Sequence, residues 1–197
     1  MDPSRLVLAS SSPRRRALLD RLDLAFEVQP ADLDESRFDG EAPDDYVRRL
    51  ASAKADAVAA AGTVVIAADT AVVVDGQPLG KPIGEADAAR MLELLSGRAH
   101  QVLSGVAVDV DAGARRLVEI ERTTVHVTGM TSDRVAWYVG SGEGADKAGG
   151  YGLQGAAGLF ADHVEGSVSN VLGLPLSLLD SMLRSVGLDL LWFRGES

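Results

Sequence analysis

The stretch Leu6-Val7-Leu8-Ala9-Ser10-Ser11-Ser12-Pro13-Arg14-Arg15-Arg16-Ala17-Leu18-Leu19-Asp20-Arg21-Leu22 decides how the rest of the chain is read. Leu6 to Ala9 is apolar enough for a short buried strand. Ser12 is placed to cap a helix whose first residue is Pro13. Three arginines then occupy the helix start, where the backbone dipole favours anions instead. An anion held there resolves the conflict. Phosphate is the candidate, because helix-start N–H groups bind it and arginine grips it in a bidentate fork. Leu18, Leu19 and Leu22 mark the buried face. Arg14 and Arg15 precede these leucines at helical spacing and so point along the core side, whereas Arg16, four before Asp20, reads as a solvent-facing ion pair. The plainer alternative is a basic helix start carrying ordinary surface arginines.

Composition narrows the classes. The chain has 197 residues, 46% of them apolar, with a mean hydropathy of +0.08, which suits a globular fold with a sizeable core. The net charge is −10 and the isoelectric point about 4.7, which argues against a general nucleic-acid binder. A local basic pocket in an acidic protein suits a small polyanion better. With no cysteine, disulfide, thiolate and cysteine–zinc chemistry are excluded. His100, His126 and His163 are too far apart in sequence to form a recognisable metal motif. No secretory signal and no apolar run of membrane-spanning length is present, so a cytoplasmic enzyme or binding protein without membrane association is expected.

Beyond the opening stretch, Ala25 to Val28 reads as a second short strand, followed by an acidic segment around Asp32, Asp34 and Glu35. Such acidic loops are usually just solvated. Pro43-Asp44-Asp45 opens a helix with an apolar stripe of Val47, Leu50, Ala51, Ala55 and Val58. Lys54 falls on that stripe, which is costly unless the lysine is paired, faces a wet cleft or snorkels to the rim. Thr63 to Asp75 is the most hydrophobic run and reads as a central strand, whole or broken near Asp69 and Thr70. A carboxylate within a core strand must be paired, bind metal or line a cleft, so Asp69 is a functional candidate.

Asp75 to Pro78 reads as a turn and Lys81 as a lysine in a rigid extended loop before Pro82. Glu85 to Leu95 is predicted helical, with Ala88, Met91, Leu92 and Leu95 inward and Gly97 closing it. His100 to Val110 and Arg116 to Val127 form an expected antiparallel hairpin around Asp111 to Ala114. Ser132 is expected to cap a helix through Val139, Gly158 to Val164 resembles a strand, and Ser167 to Gly173 a turn. Pro175 should open the C-terminal helix through Val186. The glycine-rich segment from Gly140 to Gly158 has no Walker spacing, so it reads as a mobile loop able to approach a ligand or simply to connect.

Together these readings give basic groups at Arg14, Arg15, Lys54 and Lys81 and carboxylates at Glu35 and Asp69. Cationic groups neutralise phosphate oxygens, while carboxylates can hold Mg²⁺ or Mn²⁺, and one of them can activate water. Spacing alone therefore supports a phosphate-handling α/β enzyme.

Several motifs go further. Ala9-Ser10-Ser11-Ser12-Pro13-Arg14-Arg15 resembles the opening signature of the Maf family of nucleotide pyrophosphatases. So do Asp34-Glu35, Arg49-Leu50-Ala51 with Lys54-Ala55, Ala68-Asp69-Thr70 and Gly80-Lys81-Pro82. The similarity continues through Leu95 to Val102, Tyr151 to Gly155 and Gly173 to Leu176, in family order across nearly the whole chain. The resemblance implies one Maf/ITPase-like α/β domain over residues 1–197, with a mixed elongated central sheet flanked by helices and two lobes around a central cleft. It implies hydrolysis of nucleoside triphosphates to monophosphate and pyrophosphate, a house-cleaning of the nucleotide pool, with a divalent metal cation. It assigns Asp69 as general base and Glu35 to the metal or the attacking water. Lys54 and Lys81 join the catalytic set, and Ser10, Ser12, Arg14, Arg15, Thr70 and Gln154 are substrate-binding residues, Gln154 as the base reader. Asp146-Lys147 through Gly155 is similar to the branch acting on dTTP and UTP. Where the 7-methyl-GTP branch tends to carry Glu, this chain has Gln154, whose amide offers both a donor and an acceptor to a pyrimidine. The family is often dimeric, so a homodimer is expected. Its association with septum formation supplies the competing reading, a nucleotide-binding regulator of cell division.

Overall fold

Strand β1 (Arg5–Leu8) lies parallel between β2 (Phe26–Val28) and β3 (Thr63–Val74) in the computed structural model, which describes residues 5–195. Leu6 pairs with Phe26 on one side and Val64 on the other, so the opening stretch is an interior strand. That explains its unbroken apolar run, since a strand covered on both faces has no polar face to show. The described strands form a mixed seven-stranded sheet in the order β2-β1-β3-β5-β6-β7, with β4 paired to β3. Strand β4 is Gln77–Leu79, β5 Ala99–Val110, β6 Arg115–Val127 and β7 Ala161–Glu165. The helices are α1 (Pro13–Asp20), α2 (Pro43–Val58), α3 (Glu85–Leu95), α4 (Ser132–Gly140), α5 (Val168–Val171) and α6 (Leu176–Ser185). No helix among the described residues is long and apolar enough to cross a membrane.

The chain divides into two compact units. The first is built from the chain up to Asp69, from Ser104–Glu121 and from Gly173 onward. Its core includes Val7, Ala9, Ala51, Ala55, Val65, Ala67 and Ala107, a set rich in small residues. The small residues let α2 approach the sheet closely. At Gly105 a Cβ would stand 2.2 Å from the carbonyl oxygen of Val47, so no larger residue fits between β5 and the helix. The second unit comprises Thr70–Leu103 and Arg122–Leu172. Larger side chains fill it, among them Leu92, Leu95, Tyr138, Tyr151 and Phe160.

Several expectations are corrected. Asp75 to Pro78 is no mere turn: Asp75 (φ 50) and Gly76 (φ 73) form a tight hairpin bend, and Gln77–Leu79 pairs back onto Val72–Val74. An Asp-Gly pair between apolar residues is a strong hairpin signal, and a proline is tolerated on an edge strand. Helix α4 is capped by Thr131, whose hydroxyl accepts from Arg134 N, and not by Ser132. Strand β7 starts at Ala161, because Ala156–Leu159 winds into a 3-10 turn first. The segment expected as a turn from Ser167 contains α5, capped by the Ser167 hydroxyl. Leu22 lies past the end of α1 and is only half-buried.

Candidate active site

The serine turn after β1 is fixed from within. Ser12 caps α1 by accepting from Arg15 N, and Ser10 Oγ accepts from Ser12 N at 3.2 Å. Arg15 is buried on the core side, as its spacing from Leu18 and Leu19 requires. Its Nε donates to the Gly173 carbonyl at 2.8 Å and a terminal nitrogen to Ser10 Oγ at 3.1 Å. Burial pulls the guanidinium below its ordinary value, and the negative charge of Asp69 opposes that pull. Arg15 is thus the pin of the serine turn. Arg14 beside it is half-buried, and Arg16 pairs with Asp20 in solvent, as expected.

Lys54 resolves the anomaly on the α2 stripe. Its Nζ lies 2.6 Å from Asp69 Oδ1 and 2.6 Å from Glu35 Oε1. Lys54 and Asp69 are buried, while the Glu35 side chain is about half exposed. Strand β3 runs unbroken through Asp69, which holds the carboxylate on a rigid element. Burial raises the Asp69 carboxyl above its ordinary value, with Lys54 and then Arg15 pulling it back down. Two carboxylates of different exposure share one ammonium, a divergence of environment typical of acid–base sites.

The loop bearing Glu35 has no regular structure, yet it is tied to α2. Tyr46 donates its hydroxyl to the Glu35 carbonyl at 3.1 Å. Burial first, then the charges of Asp69 and Glu35, push the Tyr46 phenol up to about 12. Arg49 makes a two-pronged contact with Glu41 at 2.6 and 2.8 Å, donates to the Ser36 carbonyl at 3.1 Å and stacks 4.0 Å over the Phe38 ring. Reading the sequence put Arg49 within a motif but gave it no task, and it passed over Tyr46 and Glu41. The available signal was helical spacing: Tyr46 and Arg49 stand three apart and therefore share a face.

Thr70, Lys81 and Gln154 belong to the second unit. Thr70 is half-buried on β3, Lys81 is exposed between β4 and α3, and Gln154 is exposed between Gly152 and Gly155. The Lys81 loop is joined to the glycine-rich segment where Gly149 N donates to the Gly80 carbonyl at 3.0 Å. That segment is more ordered than its composition suggests, since Gly149 and Gly150 are buried in a 3-10 turn.

Fold and site define an α/β protein with a mixed sheet whose first unit holds a serine turn pinned by a buried arginine and a lysine clamped between two carboxylates. Residues 5–186 match the sequence profile described as Maf-like protein, and the chain belongs to that family. It is 52% identical over 190 residues to a protein of Anaeromyxobacter dehalogenans (strain 2CP-C) named dTTP/UTP pyrophosphatase, covering 95% of this chain and 97% of that one. Proteins with the same name from Moorella thermoacetica and Myxococcus xanthus are 48% and 47% identical. Each alignment covers 97% of this chain, with 99% of the Moorella protein and 97% of the Myxococcus protein. Among solved structures, a HAM1 protein from Coxiella burnetii shares the fold at a TM-score of 0.51 and 18% identity, covering 92% of this chain and 98% of that one.

Proposed function

We propose that this protein is a nucleoside triphosphate pyrophosphatase that cleaves dTTP and UTP to the monophosphate and pyrophosphate, clearing the cytoplasmic nucleotide pool. The observation that carries the reading is the pairing of the buried Asp69 with Lys54 beside the more exposed Glu35. Relatives near half identity over almost the full length, all named for this activity, support the substrate choice. The family match spans both compact units, which supports treating residues 1–197 as one catalytic domain.

Asp69 takes the proton of the attacking water as its oxygen bonds to one phosphorus of the α–β phosphoanhydride, and the bond from that phosphorus to the bridging oxygen breaks, the oxygen leaving on the other product. Lys54 holds Asp69 and Glu35 in register. Arg14, Lys54 and Lys81 meet phosphate oxygens, as do Ser10 and Ser12 at the start of α1. Arg15 supports that turn and adds its charge. Thr70 stands near the nucleotide, and Gln154 reads the base.

The donor chemistry also fits a divalent cation. Glu35 and Asp69 bring hard carboxylate oxygens to one cationic centre, now the Lys54 ammonium. No group of three or more His, Asp or Glu side chains suited to a metal occurs among the described residues. Mg²⁺ needs no such cage, since one or two carboxylates plus substrate phosphates commonly hold it. Glu35 and Asp69 would hold the ion, which when bound neutralises phosphate charge and polarises phosphorus.

The test is pyrophosphate release with Mg²⁺ or Mn²⁺ across dTTP, UTP, CTP, GTP, ATP and 7-methyl-GTP. Fast release from dTTP and UTP supports the reading. Orthophosphate in place of pyrophosphate sinks the chemistry, and a preference for 7-methyl-GTP sinks the substrate. Tight nucleotide binding without turnover would favour the septum-formation regulator instead, a reading with no observation in its favour here.

A further inference from the structure

The loop that carries Gln154 is built upon a carboxylate with no place in the chemistry above. Glu143 follows α4 in the turn leading to Gly144. Its Oε1 accepts from the Tyr138 hydroxyl at 3.0 Å, and its Oε2 accepts from Ala156 N at 2.9 Å. The same Tyr138 oxygen accepts from Gly152 N at 3.1 Å. The Tyr138 side chain is fully buried and meets the Phe160 ring edge-on, so its hydroxyl cannot wander. The backbone N–H groups of Gly152 and Ala156, one on each side of Gln154, are therefore both anchored through Glu143. Between them the turn closes on itself, with Gly155 N donating to the Gly152 carbonyl at 3.1 Å.

Lys147 completes the arrangement. Its ammonium donates to the Glu143 carbonyl and to Asp146 Oδ1. Its stem would stand 2.8 Å from a Cβ on Gly152, and the Glu143 carboxylate 2.2 to 2.5 Å from a Cβ on Gly155. The two glycines mark where this clasp lies against the loop backbone.

We propose that Glu143 is a positioning residue for base choice: by holding the Gly152 and Ala156 amides it fixes where the Gln154 amide stands. This rests on Gln154 as the base reader. An amide selects a pyrimidine edge by placing one donor and one acceptor at set points, and hydrogen bonds weaken steeply as geometry departs from linear. Gln154 is exposed, so the backbone beneath it must supply the rigidity. A site built to hydrogen-bond a substrate group discriminates strongly only while that geometry holds.

Glu143→Gln tests this. The variant keeps one acceptor oxygen for two donors, so either the Tyr138 hydroxyl proton or the Ala156 N–H loses its acceptor. KM for dTTP and UTP should rise about tenfold, the equivalent of one good hydrogen bond. Meanwhile kcat should stay within about threefold, and the preference for dTTP over GTP should shrink. An equal fall of kcat for every nucleotide with KM ratios unchanged would overturn the proposal. Gln154→Ala serves as the separate control. If it leaves base preference intact, the reading of Gln154 fails. If it erases the preference while Glu143→Gln leaves it at the wild-type value, the positioning role alone fails. Should Glu143→Gln not fold, amide hydrogen exchange in the wild-type protein still decides. The Gly152 and Ala156 amides should be protected well above an exposed loop, and exchange at loop rates overturns the clasp.

Discussion

Lys54 and Asp69, on α2 and β3, meet through a 2.6 Å charge-assisted hydrogen bond in the protein interior. Each charge offsets the cost of burying the other, since an unpaired ionised group inside a protein is strongly destabilising. The pair therefore joins stability to chemistry. The group that pulls the Asp69 carboxyl back down against its burial also places it beside Glu35.

Asp69→Asn separates the two roles. Asparagine keeps the shape and an acceptor for Lys54 but cannot take a proton from water. Pyrophosphate release should fall roughly 10²–10⁴-fold, the usual share of a general base. Nucleotide affinity by calorimetry without divalent metal should stay near the wild-type value. Surviving activity would mean that another group accepts the proton.

Arg49 offers a test of the Glu35 loop. Arg49→Lys keeps the charge but loses the two-pronged grip on Glu41 and the stacking on Phe38, because lysine has neither the fork nor the flat face. The loop from Asp34 to Glu41 should loosen, and the Mg²⁺ concentration for half-maximal activity should rise about tenfold with little change in unfolding free energy. An unchanged Mg²⁺ requirement would detach Arg49 from the Glu35 function.

The elements that were legible in the sequence share a local cause. Strands β1 and β3 show as apolar runs, α3 as a clean helical stripe closed by Gly97, and the Arg15 orientation as spacing from Leu18 and Leu19. What escaped depends on partners that no helical or strand spacing relates. Nothing near Arg15 announces the carbonyl of Gly173, and the Glu41 carboxylate shows no purpose until Arg49 stands beside it. Lys54 is the intermediate case. Its inward position was readable and its cost was clear, but the identity of its two partners came only from the fold. The glycine-rich segment misled for the same reason. Glycine density reads as mobility until Tyr138 and Glu143 are seen holding the loop.

Gly105→Ala should be severely destabilising. The added methyl would lie 2.2 Å from the Val47 carbonyl oxygen and 2.5 Å from its carbon, both backbone atoms of α2 that cannot swing aside. Overpacking of this kind typically costs about 1–3 kcal/mol, and backbone contact places it at the upper end. Urea unfolding would measure it, and a loss below about 0.5 kcal/mol would show that α2 can shift away from β5.

His100 gives the stability a defined pH dependence. The ring is buried, its Nε2 lies 2.7 Å from the Tyr151 hydroxyl, and its Nδ1 has no partner among the described residues. Burial, aided by the charge of His126 when protonated, pulls the imidazole down from 6.5 to about 4. The unfolded chain therefore binds a proton at a pH where the folded protein still refuses one. The stability from the neutral ring is complete above pH 6.5 and drains away as the pH falls toward 4. The difference amounts to about 3 kcal/mol between neutral pH and the lower limit. His100→Gln keeps a polar atom for Tyr151 and removes the titration. Its urea-unfolding free energy should fall less steeply than that of the wild type across this window, by about that amount. Parallel pH profiles for the two proteins would mean that His100 titrates normally in the fold.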